Sequence, residues 1–102
     1  MSLLVELRTE KGEVLGRAGE IDGAVPAYLP DFDDDQFPTI RFIDRYGDTV
    51  FNALQMQAVL PELRKLRERA RSDEEKKVVD GIIELAEECA KGAHRYLVFV
   101  GD

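Results

Sequence analysis

One cysteine, one histidine and no tryptophan occur among the 102 residues. With Cys89 alone no disulfide can close within the chain, and the paired Cys and His spacings of structural zinc sites are absent. Any nucleophile activated by imidazole must rely on His94. Cys89 falls on the apolar face of a predicted helix and reads most simply as a small core residue, while His94, two residues after Gly92, reads as a helix-end or strand-edge residue. Glycine-rich phosphate loops, G-x-S-x-G elbows, H-E-x-x-H helices, dinucleotide fingerprints and internal repeats are all missing. The expectation is a protein that is not an enzyme and carries neither cofactor nor metal.

Positive charge is also scarce. Lys and Arg number 14 against 21 Asp and Glu, a formal net charge of −7. A nucleic-acid binder needs clustered cations to displace counterions, so nucleic acid is excluded as the expected partner and a basic protein is favoured. The imbalance is local: residues 1–52 carry 11 acidic and 5 basic side chains, residues 53–102 carry 10 and 9. No apolar run approaches the roughly 18 residues of a membrane span, and the N-terminus lacks a basic segment followed by an apolar one. The setting expected from these features and from the cysteine usage is the cytoplasm, with no membrane contact. At 44% hydrophobic and 34% charged residues the chain suits one folded domain over residues 1–102.

Alternation of Leu3, Val5 and Leu7 with Leu4, Glu6 and Arg8 predicts a first strand, and Glu10-Lys11-Gly12-Glu13 a turn into a short second strand at residues 14–17. Between Ala18 and Pro38, glycines, prolines and an acidic run predict a long loop, with Val25, Tyr28, Leu29, Phe32 and Phe37 packing back on the core. Residues 39–43 and 49–51 read as two further strands, joined by a turn in which Gly47 can take a positive φ. From residue 53 the period changes. Met56, Val59, Leu60, Leu63, Leu66 and Ala70 form a helical stripe, kinked at Pro61. Ser72 and Glu75 form a capping box for a second helix carrying Val78, Val79, Ile82, Ile83, Leu85, Ala86 and Cys89, with Gly92 as a left-handed end. The two stripes differ in direction by roughly 100° if drawn on one rod, which predicts a helical hairpin broken near Ser72. Residues 95–100 are apolar at consecutive positions, as in an interior strand covered on both faces.

The fold expected is therefore two-layer α+β, order ββββααβ, its mostly antiparallel sheet covered on one face by the helical hairpin and its last strand beside the first. The helices cover only one side of that last strand. If they cover Leu97 and Phe99, then Tyr96, Val98 and Val100 are left to the long loop or to a homodimer contact.

Asp31, Asp33 and Asp35 are spaced like the first ligands of a calcium loop, but Gln36 and Phe42 stand where that motif requires glycine and glutamate, so a solvated acidic loop or a docking surface is the better reading. Asp44 and Asp48 flank a turn and are read as turn chemistry before catalysis. Arg64, Lys65, Arg67, Arg69 and Arg71 complement a helix C-terminus and can pair with Asp73, Glu74 and Glu75.

The stretch Phe37-Pro38-Thr39-Ile40-Arg41-Phe42-Ile43-Asp44-Arg45-Tyr46-Gly47-Asp48-Thr49-Val50-Phe51-Asn52, followed by Leu54-Gln55-Met56, resembles small bacterial proteins of about this length that have no assigned activity. The resemblance implies a bacterial, cytoplasmic protein and no catalytic residues.

The leading functional expectation is an acidic protein-binding module, of the immunity or antitoxin kind, presenting Asp31, Asp33, Asp34, Asp35, Asp44, Tyr46 and Asp48 to a basic partner. The alternatives are a small-ligand or metal-binding protein, with a pocket between loop 18–38 and the sheet near Tyr28, Phe32 and Tyr46, and a structural homodimer.

Overall fold

A computed structural model describes residues 3–19 and 29–101 of the chain. Val25 and Tyr28, expected to pack in the long loop, lie outside the described residues. Strand β1 (Leu4–Thr9) turns into β2 (Val14–Ala18) through a short loop. There the Thr9 N–H donates to the Glu13 carbonyl at 2.9 Å and the Gly12 N–H to the Thr9 carbonyl at 2.9 Å. Gly12 sits at φ +84°, a conformation costly for any side-chain-bearing residue. The chain then passes through a 3-10 turn (Ile40–Phe42), strand β3 (Asp48–Asn52), helix α1 (Met56–Arg69), helix α2 (Asp73–Ala90) and strand β4 (Arg95–Val100).

The four strands form one antiparallel sheet in the order β2-β1-β4-β3. As its apolar composition predicts, β4 is interior and pairs with β1 on one side, Val5 opposite Phe99 and Leu7 opposite Leu97, and with β3 on the other. Period-two alternation assigns the faces. Leu3, Val5, Leu7, Phe51, Leu97 and Phe99 point toward the helices and are buried there with Met56, Val59, Leu63, Leu66, Val79, Ile82, Ala86 and Cys89. Phe51 and Phe99 meet edge to face, centroids 5.8 Å apart. The opposite face holds Leu4, Glu6, Arg8, Arg17, Val50, Tyr96, Val98 and Val100; Val98, in register between Glu6 and Val50, is buried, while Tyr96 and Val100 are half-buried.

Both helices end where local chemistry stops them. Ser72 adopts extended backbone and its hydroxyl accepts from the Glu75 N–H at 3.1 Å, which starts α2 afresh after α1. The Glu75 carboxylate returns the favour one residue further back, accepting from the Arg71 N–H at 2.7 Å. Helix α1 runs through Pro61, which has no N–H to offer the Gln57 carbonyl one turn earlier. Helix α2 lies close to the sheet because the facing residues are small: a Cβ on Gly16 would stand 2.8 Å from Leu85 Cδ2, and one on Gly81 3.3 Å from the Ala18 Cβ.

Four expectations change in detail. Of the loop residues expected on the core, Leu29 and Phe37 are buried there but Phe32 is exposed. Residues 39–43 form no strand, so the order is ββ, a 3-10 turn, then βααβ. A strand would turn Ile40 and Phe42 to the same side; in the 3-10 turn Ile40 and Ile43, three apart, enter the core and Phe42 is left exposed. The deciding partner is remote in sequence. Glu62 on α1 is buried, and its Oε1 accepts from the N–H groups of Thr39 at 2.9 Å and Ile40 at 3.0 Å, amides a sheet would have needed. After α2 the left-handed residue is His94 (φ +65°), not Gly92, which instead leaves room for the Arg95 side chain, 3.0 Å from a would-be Cβ. Gly47 likewise has no positive φ; its missing side chain makes space for the Asp44 carboxylate, 2.9 Å from where a Cβ would be.

A candidate docking cleft at the acidic loop

The turn between the 3-10 segment and β3 is built by Asp44. Its Oδ1 accepts from the Tyr46 N–H at 2.8 Å, and its own N–H donates to the Thr49 hydroxyl at 2.8 Å. These two bonds fix the backbone of the turn, on which the Tyr46 ring is 74% exposed. The end of β4 braces the turn from behind: the Gly101 N–H donates to the Gly47 carbonyl at 2.8 Å, and a Cβ on Gly101 would fall 2.5 Å from the Arg45 carbonyl carbon. Only glycine fits that approach without moving one backbone off the other.

The acidic loop is fixed from the other side, by α1. Phe37 is fully buried, with the Arg69 guanidinium 4.4 Å and the Lys65 ammonium 5.7 Å from its ring centroid. Arg69 also reaches Asp34 at 2.9 Å, and Lys65 donates to the Gln36 carbonyl at 3.3 Å. Burial works against the Asp34 charge, but the Gln36 N–H at 3.1 Å and the Arg69 guanidinium outweigh it and hold the carboxyl below the usual aspartate range. The basic end of α1 thus pairs with the acidic loop and, through Arg67, with Asp80 of α2, whereas the sequence suggested Asp73, Glu74 and Glu75.

Between loop and turn lies an open cleft of about 370 Å³ lined by Pro30, Asp31, Phe32, Arg41, Ile43, Asp44, Arg45 and Tyr46. Arg45 bridges the two walls, donating to the Pro30 carbonyl at 3.4 Å and lying 3.8 Å from the Asp31 carboxylate. Phe32 stands at the mouth, 79% exposed. Also in the lining, the Arg41 Nε is buried with no hydrogen-bond partner among the described residues, the guanidinium lying 4.8 Å from the Phe42 ring centroid.

Of the residues expected to meet a partner, Asp31, Asp44 and Tyr46 line this cleft. Asp33, Asp35 and Asp48 are exposed on the adjoining loop and strand, and Asp34 is spent on Arg69. Arg41, Arg45 and Ile43 were missed. The first two are cations inside an acidic stretch, a signal the sequence did contain. Among the described residues no three His, Cys, Asp or Glu side chains are grouped to hold a metal ion, and no helix is long and apolar enough to cross a membrane.

Cys89 and His94 do not meet as a pair. Burial pushes the Cys89 thiol up, and its Sγ lies 3.5 Å from the Arg95 carbonyl; His94 is exposed, with Nδ1 3.0 Å from Glu10. The other face of the sheet carries a second charged group, where Glu6 is buried between Arg17, 2.8 Å away, and Arg8. Hydrogen bonds from Arg17 and then Arg8 hold the Glu6 carboxyl below its ordinary range, more than offsetting its burial. No protein-family model, curated protein or solved structure matches this chain.

Proposed function

We propose that the protein is a docking module for a basic protein partner, received at the cleft between the acidic loop and the Asp44 turn. The observation that carries this reading is the convergence of two acidic segments on one cleft whose mouth holds two aromatic rings, Phe32 and Tyr46, exposed to 79% and 74%. Exposed aromatics inside a charged rim are the composition of interface centres, and the carboxylates of Asp31, Asp33, Asp35, Asp44 and Asp48 set the sign of the partner. A labelled peptide of several Lys and Arg residues around one central Leu or Tyr is the probe. Its anisotropy is expected to report binding at about 50 mM salt that weakens steeply by about 300 mM, and Phe32→Ala with Tyr46→Ala is expected to remove it. Binding indifferent to salt and to both aromatics would refute the reading.

A second reading rests on Arg41. A buried guanidinium nitrogen without a partner among the described residues, beside a cleft of about 370 Å³, suits a small anionic ligand, since pockets for such ligands run upward from about 300 Å³. A thermal shift with phosphate or a dicarboxylate, lost in Arg41→Met, would favour it over peptide docking.

A further inference from the structure

The register of the sheet says which backbone groups of its open edge are unpaired. Gly101 donates to the Gly47 carbonyl directly opposite, so that pair is a hydrogen-bonded one in the antiparallel ladder. Counting along β3, Thr49 and Phe51 are then bonded to β4, and Asp48, Val50 and Asn52 turn their N–H and C=O groups away from it. Asn52 gives an independent check: its N–H donates to the Gln55 side chain at 2.8 Å, off the sheet. Because β3 is the outermost strand, the Asp48 and Val50 groups face outward with no partner among the described residues.

Edge strands are ordinarily blunted by bulges, by lysine or by proline. At the opposite edge β2 carries a bulge, the register slipping between Leu7 and Arg8, and an arginine, Arg17, in mid-strand. Strand β3 has none of these. Its pairing is regular from Asp48 to Asn52, its centre is Thr-Val-Phe, and Val50 is 54% exposed. Its first residue, Asp48, adjoins the Asp44 turn that walls the cleft, so the edge and the cleft form one continuous surface.

We propose that β3 is a strand-addition site, and that its occupant is an extended, Lys- or Arg-bearing segment of the basic partner. This rests on the docking reading above and names how the partner is held. An added strand would bond the outward groups of Asp48 and Val50, set a cationic side chain beside Asp48, and set an aliphatic one beside Val50, two residues along on the same face. Charge selects this occupant over a second copy of the chain: each copy carries −7, and pairing β3 with itself brings two acidic surfaces to one seam.

The test uses a capped peptide repeating Lys-Thr-Val-Thr, which places Lys and Val two residues apart on one face, and the same peptide N-methylated at its Lys and Val residues so that the edge carrying them loses its donors. The unmethylated peptide is expected to protect the Asp48 and Val50 amides from hydrogen exchange and to bind about tenfold more tightly than the methylated one. Val50→Pro, which removes an outward N–H and leaves the β3–β4 ladder intact, is expected to weaken binding about as much, and Val50→Thr to leave it. Should Val50→Pro unfold, the two peptides on the unaltered protein decide. Equal binding of both peptides, abolished by Asp31→Asn with Asp44→Asn, would overturn strand addition and keep the docking cleft. Failure of both peptides to bind at low salt would overturn both readings. A doubled solution mass with the Asp48 and Val50 amides already protected would give the edge to a second copy and overturn the inference.

Discussion

The two sides of the sheet are finished differently. On the side of β2 and β1, small residues let α2 lie tight against the strands, and on the outer face Glu6 is paired within the chain by Arg8 and Arg17. On the side of β3, the covering layer is α1 together with an irregular segment, residues 29–47, which contributes Leu29, Phe37, Ile40 and Ile43 to the core. The large exposed hydrophobic side chains follow this division. Among the described residues, Phe32, Phe42, Tyr46, Val50 and Leu54 fall between residues 32 and 54, and only Leu15 lies on the β2 side. One side has used its apolar groups to fold; the other keeps several facing water, the condition under which a surface gains from a partner.

If the irregular segment is held as firmly as the rest, removing its anchor should cost as much as a core deletion. Phe37→Ala deletes a fully buried ring and the seat of two cations, and is expected to destabilise by about 3–5 kcal/mol, read by chemical denaturation. A loss below about 1 kcal/mol would mean that the segment is only loosely attached.

Glu62→Ala tests the same attachment through polarity. It leaves the Thr39 and Ile40 N–H groups without their acceptor, an expected loss of about 2–3 kcal/mol, while Glu62→Gln keeps an oxygen in place and should lose less. Hydrogen exchange at the two amides checks the cause, since both should accelerate in the alanine variant before global unfolding does.

Across the sheet, Glu6→Gln probes the compensated charges. The folded state favours ionised Glu6, so its contribution is full above the ordinary glutamate value of about 4.3 and disappears as pH falls through the lower folded value. The variant should lose about 1 kcal/mol at neutral pH, shallow as the site is between two partly exposed arginines, and should show a flatter stability profile below about pH 4.5 than the unaltered protein. Identical acid profiles would remove Glu6 from the account.

How far each side could be read in advance follows from how local its determinants are. The β1–β2 hairpin, the interior β4, the Ser72 capping box and the helical hairpin all declare themselves in short windows, because alternation, consecutive apolar residues and capping chemistry act between near neighbours. The irregular segment depends on Glu62, 22 residues beyond Ile40, and on Arg69, 35 beyond Asp34, so Thr39 to Ile43 looked like a strand on composition alone. One clue was available. Glu62 lies three residues after Val59 and four before Leu66, on the buried stripe of α1, where a carboxylate needs donors from somewhere. The acidic segments were legible as candidates; that they share a cleft was not, because Arg45 joins them through space.

The smallest expected change in stability is the most discriminating. Phe32 and Tyr46 are exposed, so Phe32→Ala and Tyr46→Ala should each leave stability within about 0.5 kcal/mol. A ring that does so little for the fold is free to serve the proposed docking, and Asp44 fixes the turn that carries Tyr46 through two hydrogen bonds. Paired denaturation and peptide-binding measurements on the same two variants would separate the roles. Unchanged stability with lost binding keeps the β3 side as the working surface. A loss above about 2 kcal/mol would make the rings part of the core after all and erase the asymmetry between the two sides.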